Sequence, residues 1–449
     1  MGRLFGTDGM RGIANKELTC ELAMQIGRAA AMVLAQHSTT KPKVLIGMDT
    51  RASSQMLEAA ISAGLCSVGA DVLLLGVVPT PAVAYLVTRY SYDAGIMISA
   101  SHNSFEYNGI KIFQSNGYKL PDGLEEEIEA IILDKTKVLP IEIGGLVGRI
   151  TSSRTARYDY TEYLKSCVKT PIRNIKAAFD CANGSASVIA PELFMSLGVD
   201  CLFISAHPNG VNINENCGST HLSRLKDFVV RNGCDVGFAF DGDADRLLAV
   251  DEKGCEIDGD RLIAIFSSYM KSLGVLKKDT AVVTVMSNMG LFKFFEENDI
   301  KYEKTKVGDR YVLETMLEHN YNLGGEQSGH IIFSDYSKAG DGQLSAIKLL
   351  EVMSQTNKKL SALAKSMTVF PQIMINIKVS DFGKVRFPHD EEIKKAIDTA
   401  TKELSEKGRV LVRVSGTEPL VRIMVEGEDT EKIKELAEEI AEVVKERLL

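Results

Sequence analysis

Short apolar runs alternate with amphipathic stretches along the first third of the chain. Val44–Ile46, Asp71–Gly76 and Ala94–Ile98 are bounded by Gly, Asp or Pro, and helical patterns over Glu21–Gln36 and Ser54–Gly69 lie between them. Strands that are apolar on both faces need helices on both sides, so this alternation predicts βαβ units around a buried, largely parallel sheet. The rhythm restarts with strands at Ile175–Phe179, Cys201–Ile204 and Val236–Phe240, separated by helices at Val188–Leu197 and Leu222–Asn232. It restarts again with a strand at Ala281–Val285, a helix over Gly290–Asn298 and a strand at Ile300–Lys304. No sequence repeat of fixed period accompanies the rhythm, which argues against a solenoid.

Beyond residue 366 the pattern changes. Ile373–Val379, Arg409–Arg413 and Val421–Val425 alternate apolar and polar positions, as half-buried strands do. Helices over Glu391–Lys407 and Thr430–Leu449 flank them, and Ile433, Leu436, Ile440, Val443 and Val444 form one apolar stripe on the last. The expected fold is α/β: three consecutive α/β domains with mixed, largely parallel sheets, followed by a C-terminal α+β domain. The expected boundaries are 1–152, 153–252, 253–366 and 367–449.

Composition narrows the function classes. At 449 residues the chain is too long for one ordinary core, in line with several domains. With 52 basic against 60 acidic residues the net charge is −8, which disfavours bulk nucleic-acid binding while leaving room for a local anion site. Eight scattered cysteines without a C-x-x-C pair fit neither a zinc site nor a dense disulfide framework. No signal-peptide pattern opens the sequence and no apolar run spans a bilayer, so the expected location is the cytoplasm, without a membrane partner.

Four segments carry candidate chemistry. Asp241, Asp243 and Asp245 lie in Asp241-Gly-Asp-Ala-Asp-Arg246; on extended backbone, alternate carboxylates share a face and can converge on one cation. Hard oxygen ligands suit Mg²⁺. An EF-hand is excluded because Arg246 occupies the turn position that needs Gly, while a solvated acidic turn is the plain alternative. Ser101, in Ile98-Ser-Ala-Ser-His-Asn103, follows an apolar run; such a serine is commonly a backbone cap, but His102 and Asn103 adjoin it and Lys111 follows ten residues on. No G-x-S-x-G elbow surrounds it. Gly324-Gly-Glu-Gln-Ser-Gly-His330 is either a tight turn or a close-approach loop in which Glu326, Ser328 and His330 offer groups suited to sugar hydroxyls. In Arg413-Val-Ser-Gly-Thr-Glu-Pro419, Ser415, Thr417 and the amides around Gly416 can form an anion nest, with Arg413 and Arg422 as clamps. A plain strand-to-strand turn is the alternative there, and the absence of a nucleotide P-loop pattern means ATP is not implied.

In this order, and over essentially the whole chain, the four segments resemble the α-D-phosphohexomutase superfamily. Leu4–Gly12, Asn212–His221, Val307–Val312 and Gln327 make the chain most similar to the bacterial branch acting on glucosamine phosphates. The resemblance implies domains arranged around a central cleft and an isomerase interconverting glucosamine 6-phosphate and glucosamine 1-phosphate for cell-wall precursor synthesis. It implies Ser101 as a phosphoserine that joins Asp241, Asp243 and Asp245 around one Mg²⁺. Arg11, Lys111 and Arg246 would surround the transferred phosphoryl group beside His102, with Lys111 and His330 as candidate acid or base. Glu326 and Ser328 would hold the sugar, and Arg413, Ser415, Gly416, Thr417 and Arg422 the other phosphate. Glucosamine 1,6-bisphosphate or a similar hexose bisphosphate would serve as intermediate and primer, and a homodimer is compatible with the family. The competing readings are a phosphomannomutase or phosphoglucomutase with the same machinery, a metal-dependent sugar phosphatase, and a phosphosugar sensor. Three positions depart from the family pattern: Ser104 replaces a proline, removing a φ restraint beside Ser101, while Met48 and Ser54 replace Arg and Gly.

Overall fold

The computed structural model of the chain describes residues 3–6, 8–34, 41–137, 141–414 and 420–448, without the side chain of Asp381. The chain divides into two compact units, one comprising Met1–Met286 with Asn298–Ser366, the other Ser287–Glu297 with Met367–Leu449.

The larger unit holds three sheets. The first contains β1 (Met10–Ile13), β2 (Lys43–Met48), β3 (Asp71–Val77), β4 (Ala94–Ile98), β5 (Tyr107–Gln114) and β6 (Ile150–Ser152), in the order β1-β5-β4-β2-β3-β6. Strands β4, β2, β3 and β6 run parallel, while β5 returns antiparallel beside β4 and β1 beside β5. Every residue of β4 is buried, as its unbroken apolar run requires. The helices Cys20–Leu34 and Ala52–Ser67 pack so closely that a Cβ on Gly27 would lie 2.6 Å from the Ile61 carbonyl oxygen, so only glycine permits the crossing.

The second sheet contains β7 (Lys176–Asp180), β8 (Asp200–Ile204), β9 (Val236–Phe240), β10 (Leu247–Asp251) and β11 (Glu256–Ile257), ordered β11-β10-β9-β7-β8. Its core β8, β7 and β9 is parallel, and β10 folds back antiparallel on β9. The third, ordered β13-β12-β14-β15, comprises β12 (Thr280–Thr284), β13 (Lys301–Thr305), β14 (Leu323–Gly325) and β15 (Ile331–Phe333), with only β15 antiparallel. The predicted α/β character of these three segments holds.

The smaller unit is the predicted α+β module. Strands β16 (Gln372–Lys378), β17 (Gly408–Val414) and β18 (Leu420–Gly427) form an antiparallel sheet ordered β16-β18-β17. The helix Thr430–Leu448 buries Ile433, Leu436, Ile440 and Val444 against it, each such side chain contributing about 1.5–3 kcal/mol. The helix Met289–Glu297 falls between β12 and β13 in sequence but groups with this unit. Its first amide donates to Glu426 Oε1 at 2.8 Å, and Asn288 pairs with the Phe370 backbone in both directions at 3.0 Å.

Candidate active site

Ser101 sits in the loop joining β4 to β5. The Ser99 amide donates to the Gly109 carbonyl at 3.0 Å, and the Ser101 amide donates to Ser99 Oγ at 2.9 Å, so the turn closes at once. Ser101 is fully buried with φ +52°, the left-handed region that an L-residue enters at a cost of about 1–2 kcal/mol. Its hydroxyl donates to Asp241 Oδ2 at 2.6 Å and lies 3.3 Å from His102 Nδ1. Burial, together with Arg246 and Arg11, holds the His102 imidazole down at about 4, so it is neutral at pH 7.

Asp241, Asp243 and Asp245 converge as predicted, but not by strand alternation. They lie on the turn between β9 and β10, where Ala244 adopts φ +55° and donates its amide to the Asp241 carbonyl at 3.1 Å. The turn, not extended backbone, brings one ligand oxygen from each carboxylate within 4.8 Å of the others. Thr80 fastens Asp243 with its hydroxyl at 2.5 Å and its amide at 2.9 Å, and the Ser185 amide holds the Gly242 carbonyl at 2.8 Å. Asp243 Oδ1 and Asp245 Oδ1 are buried with no hydrogen-bond partner among the described residues, an arrangement that is costly unless a cation answers it. Burial and the neighbouring Asp245 and Asp243 push the Asp241 carboxyl well above the usual carboxylate range. Buried, crowded, all-oxygen ligation fits a hard divalent ion.

Cations close the other side. Lys111, on β5 and buried, places Nζ 2.8 Å from Asp243 Oδ2, 3.0 Å from Asp8 Oδ2 and 3.3 Å from Asp245 Oδ2. Burial alone would lower its pKa, but Asp243, Asp245 and Asp8 outweigh it and hold an ammonium. Arg11 on β1 pairs with Asp8, while Arg246 donates its amide to Asp241 Oδ1 at 3.2 Å and approaches Asp245 at 4.0 Å. The Nε atoms of Arg11 and Arg246 are buried without a hydrogen-bond partner among the described residues, leaving N–H groups for an anion.

The loop joining β14 to β15 comes to the same place. Gly329, at φ +89°, accepts the Leu247 amide at 3.0 Å on its carbonyl and so ties this turn to the end of the aspartate turn. His330 lies between two carboxylates, Nδ1 3.7 Å from Asp245 and Nε2 3.5 Å from Asp309, and Nε2 accepts the Gly340 amide at 3.1 Å. Burial would lower its pKa, but Asp245 and Asp309 outweigh it and raise it. Glu326 Oε1 accepts the Gly308 amide at 3.0 Å, and Ser328 Oγ is buried without a hydrogen-bond partner among the described residues. In the smaller unit, Arg413 and Arg422 stand directly opposite each other across β17 and β18. Burial, and then Arg422, lowers the Arg413 pKa, a pairing of like charges that favours an anion alongside. Ser415, Gly416 and Thr417 lie outside the described residues.

Models of the phosphoglucomutase/phosphomannomutase family match the chain in four pieces: alpha/beta/alpha domain I over residues 2–138, domain II over 158–254, domain III over 258–370 and the C-terminal domain over 374–443. A phosphoglucosamine mutase of Caldanaerobacter subterraneus subsp. tengcongensis is 54% identical over 448 residues, covering 100% of both proteins. The chain belongs to the phosphoglucosamine mutase family. Membership makes it an isomerase that moves a phosphoryl group on a phosphosugar. Among solved structures, a phosphoglucomutase/phosphomannomutase family protein of Burkholderia thailandensis shares the fold with TM-score 0.81 at 24% identity, covering 100% of this chain and 99% of that one. The N-acetylphosphoglucosamine mutase of Aspergillus fumigatus, in complex with GlcNAc-6P and magnesium, shares it with TM-score 0.72 at 16% identity, covering 100% and 96%.

Within this phosphoglucosamine mutase fold, the larger unit brings together Ser101, His102, Lys111, Arg11, Arg246, His330 and the aspartate trio. Sequence reasoning missed several partners of that cluster. Asp8 and Asp309 are bridged by Lys119, whose Nζ is 2.6 Å from Asp309 Oδ2, and Thr80 holds Asp243 across 163 residues of sequence. Asp8 and Asp309 lie within the segments Leu4–Gly12 and Val307–Val312 that carry the resemblance; Lys119 and Thr80 have no local signal. No helix among the described residues is long and apolar enough to cross a membrane.

Proposed function

We propose that the chain interconverts glucosamine 6-phosphate and glucosamine 1-phosphate by a phosphoryl relay through Ser101. The carrying observation is the Ser101 hydroxyl, 2.6 Å from Asp241 in the aspartate trio whose charges Lys111, Arg11 and Arg246 answer. The sugar O1 oxygen attacks the phosphorus of phospho-Ser101, the P–Oγ bond breaks, and the hydroxyl proton passes in net terms from the sugar to Ser101 Oγ. The product is a 1,6-bisphosphate; after it reorients, its 6-phosphate returns to Ser101 by the reverse bond changes. Such transfers need positioning and charge neutralisation more than covalent help. Lys111, held as an ammonium, and Arg11 and Arg246, with N–H groups to spare, supply the positive charge facing the phosphoryl oxygens. Asp241, Asp243 and Asp245 would hold one Mg²⁺, which would neutralise phosphoryl charge there, and the magnesium bound by the Aspergillus fumigatus relative supports that choice.

Glu326 and Ser328 hold the sugar and His330 orients Asp245, while Arg413 and Arg422 with residues 415–417 bind a phosphate that is not transferred. All eight cysteines are free thiols, which suits the reducing cytoplasm. A coupled assay for glucosamine 1-phosphate tests the reading. Ser101→Ala should lose nearly all turnover, and peptide mass spectrometry should find phosphate on Ser101 of the wild type. A Ser101→Ala variant as active as wild type would overturn the relay. Stoichiometric inorganic phosphate without 1-phosphate product would show a phosphatase instead, and a preference for mannose or glucose 6-phosphate would reassign the substrate.

A further inference from the structure

The Ser101 loop is held by two side chains that belong neither to the loop nor to the aspartate turn. Arg51, whose side chain is wholly buried, donates from Nη2 to the carbonyls of Ser101 at 3.0 Å and Asn103 at 2.9 Å, and from Nη1 to the Ser104 carbonyl. Its Nε donates to Asp49 Oδ2 at 2.8 Å, so its charge is already answered. Asn214 Nδ2 donates to the same Ser101 and Asn103 carbonyls, both at 2.9 Å. Asn214 is itself fixed: it is buried, at φ +58°, with its amide on the Ala182 carbonyl at 2.9 Å. Asp49 is fixed as well, accepting Ser54 Oγ at 2.9 Å and the Arg51 amide at 3.0 Å on Oδ1. Asn108 in turn donates to Ser54 Oγ at 3.1 Å, so the serine that departs from the family's glycine links the clamp to β5.

We propose that Arg51 and Asn214 form a carbonyl clamp that positions Ser101 for phosphoryl transfer, an inference that rests on the relay reading above. A left-handed serine relaxes unless something holds it, and carbonyls that each accept two donors cannot rotate without leaving buried polar groups unpaired. The clamp therefore fixes the Ser101 backbone whether Oγ carries a hydroxyl or a phosphoryl group of about −1.5 to −2 charge. It restrains the loop at the place where the family's proline, here Ser104, would restrain it from within. Arginine is required because one planar guanidinium serves Asp49 and three carbonyls at once, a fork that lysine cannot reproduce. Both side chains spend their donors on the backbone carbonyls of the loop and act through Ser101, so both are positioning residues and not binding residues.

The test compares Arg51→Lys and Asn214→Ala with wild type in the coupled assay, each rate normalised to folded protein by circular dichroism and to Ser101 phosphate by mass spectrometry. Loosening a reacting group by a fraction of an ångström is expected to lower kcat about 10- to 100-fold in each variant. KM for glucosamine 6-phosphate should stay within about twofold, since no uniform substrate binding is removed. The rate at which isolated phospho-Ser101 enzyme loses phosphate to water should also change, a readout that a purely structural role would leave alone. Wild-type kcat in either folded variant, or a raised KM at unchanged kcat, would overturn the clamp. Ser101→Ala, run alongside, separates the two ideas: if it keeps activity the relay itself falls, and if it is dead while both clamp variants turn over normally, only the clamp falls.

Discussion

Replacing Gly242 by alanine should uncouple Ser101 from its aspartate. Gly242 lies between Asp241 and Asp243, and a Cβ there would stand 2.6 Å from the Ser101 carbonyl oxygen, 2.8 Å from Ile213 Cδ1 and 3.0 Å from Asn214 Nδ2. Ordinary contact begins at 3.4 Å, so the Ser101 carbonyl or the aspartate turn must retreat by about 0.8 Å. The Ile213 methyl can swing aside, but the carbonyl is backbone and is gripped by Arg51 and Asn214. Forcing a methyl into such a site costs about 1–3 kcal/mol. Whichever side yields, the 2.6 Å contact between Ser101 Oγ and Asp241 Oδ2 is lost. A misplacement near 1 Å costs roughly 100-fold in rate, so Gly242→Ala should lower kcat by about 30- to 100-fold with KM little changed. The coupled assay reads this directly, with a thermal melt to confirm folding. Gly123→Ala is the control: nothing lies within 4 Å of its Cβ, and as a helix residue it should gain about 0.5–1 kcal/mol without changing turnover. A folded Gly242→Ala enzyme within about threefold of wild-type kcat would refute the claim that this approach sets the geometry.

Two further predictions concern the frame. Burial pushes the Asp341 carboxyl up to about 6 even though the Leu344 amide and Tyr160 hydroxyl donate to it at 2.9 and 2.7 Å. Because the folded value is raised, the neutral acid's stabilisation is fully present below about pH 4 and is lost as pH climbs through 6; Asp341→Asn should therefore melt higher than wild type at pH 7.5, by up to about 3 kcal/mol, with the gap closing towards pH 4 in thermal unfolding. Glu426 accepts the Met289 amide, Gln372 Nε2 at 3.1 Å and Arg409 Nε at 2.6 Å, so Glu426→Ala should destabilise the smaller unit by about 3 kcal/mol, seen as faster limited proteolysis within residues 367–449, and Glu426→Gln by less; equal protease resistance of Glu426→Ala and wild type would refute it.

Most of the frame was legible because its signals are local. The β4 run Ala94–Ile98 appears in the structure as it reads in the sequence, and so does the stripe Ile433, Leu436, Ile440 and Val444, with Val443 only partly buried at its edge, since burial dictates both. The aspartate trio was legible as chemistry but not as geometry: its spacing suits alternate positions on a strand, yet a left-handed Ala244 makes the convergence. No propensity announces that conformation in alanine, which tertiary contacts impose. The support of Ser101 was not legible at all. Arg51, Asn214 and Thr80 act across 50, 113 and 163 residues, and a hydrogen bond over that span leaves no periodicity to detect. The only hint was indirect, since Arg51 lies between Met48 and Ser54, two departures from the family pattern, and Asn214 lies in Asn212–His221, a segment that carries the resemblance.

The three loops of the larger unit that carry the candidate site share one construction, and it explains why such distant residues can define one site. Each leaves the carboxyl end of a parallel strand and returns at once on an antiparallel partner: β4 to β5 at Ser101, β9 to β10 at the aspartates, β14 to β15 at Glu326 and His330. Carboxyl ends of parallel strands are where α/β sheets present ligands, because the connecting chain there is free of the sheet ladder. A long crossover at these places would leave the loop anchored on one side only. A hairpin anchors both stems, so each turn has few ways to move, and the turns then bind one another, Ser101 Oγ to Asp241 and the Gly329 carbonyl to Leu247, while the Ala244 carbonyl accepts the Gly342 amide of the helix Gly342–Thr356 at 3.0 Å. Within this mutual grip the carboxylates Asp8, Asp241, Asp243, Asp245 and Asp309 are set against Lys111, Lys119, Arg11 and Arg246, too few cations to satisfy every buried oxygen. Rigid placement makes that imbalance useful: oxygens that cannot turn away stay available for a divalent ion, and the cations stay available for the phosphoryl group of the relay we propose.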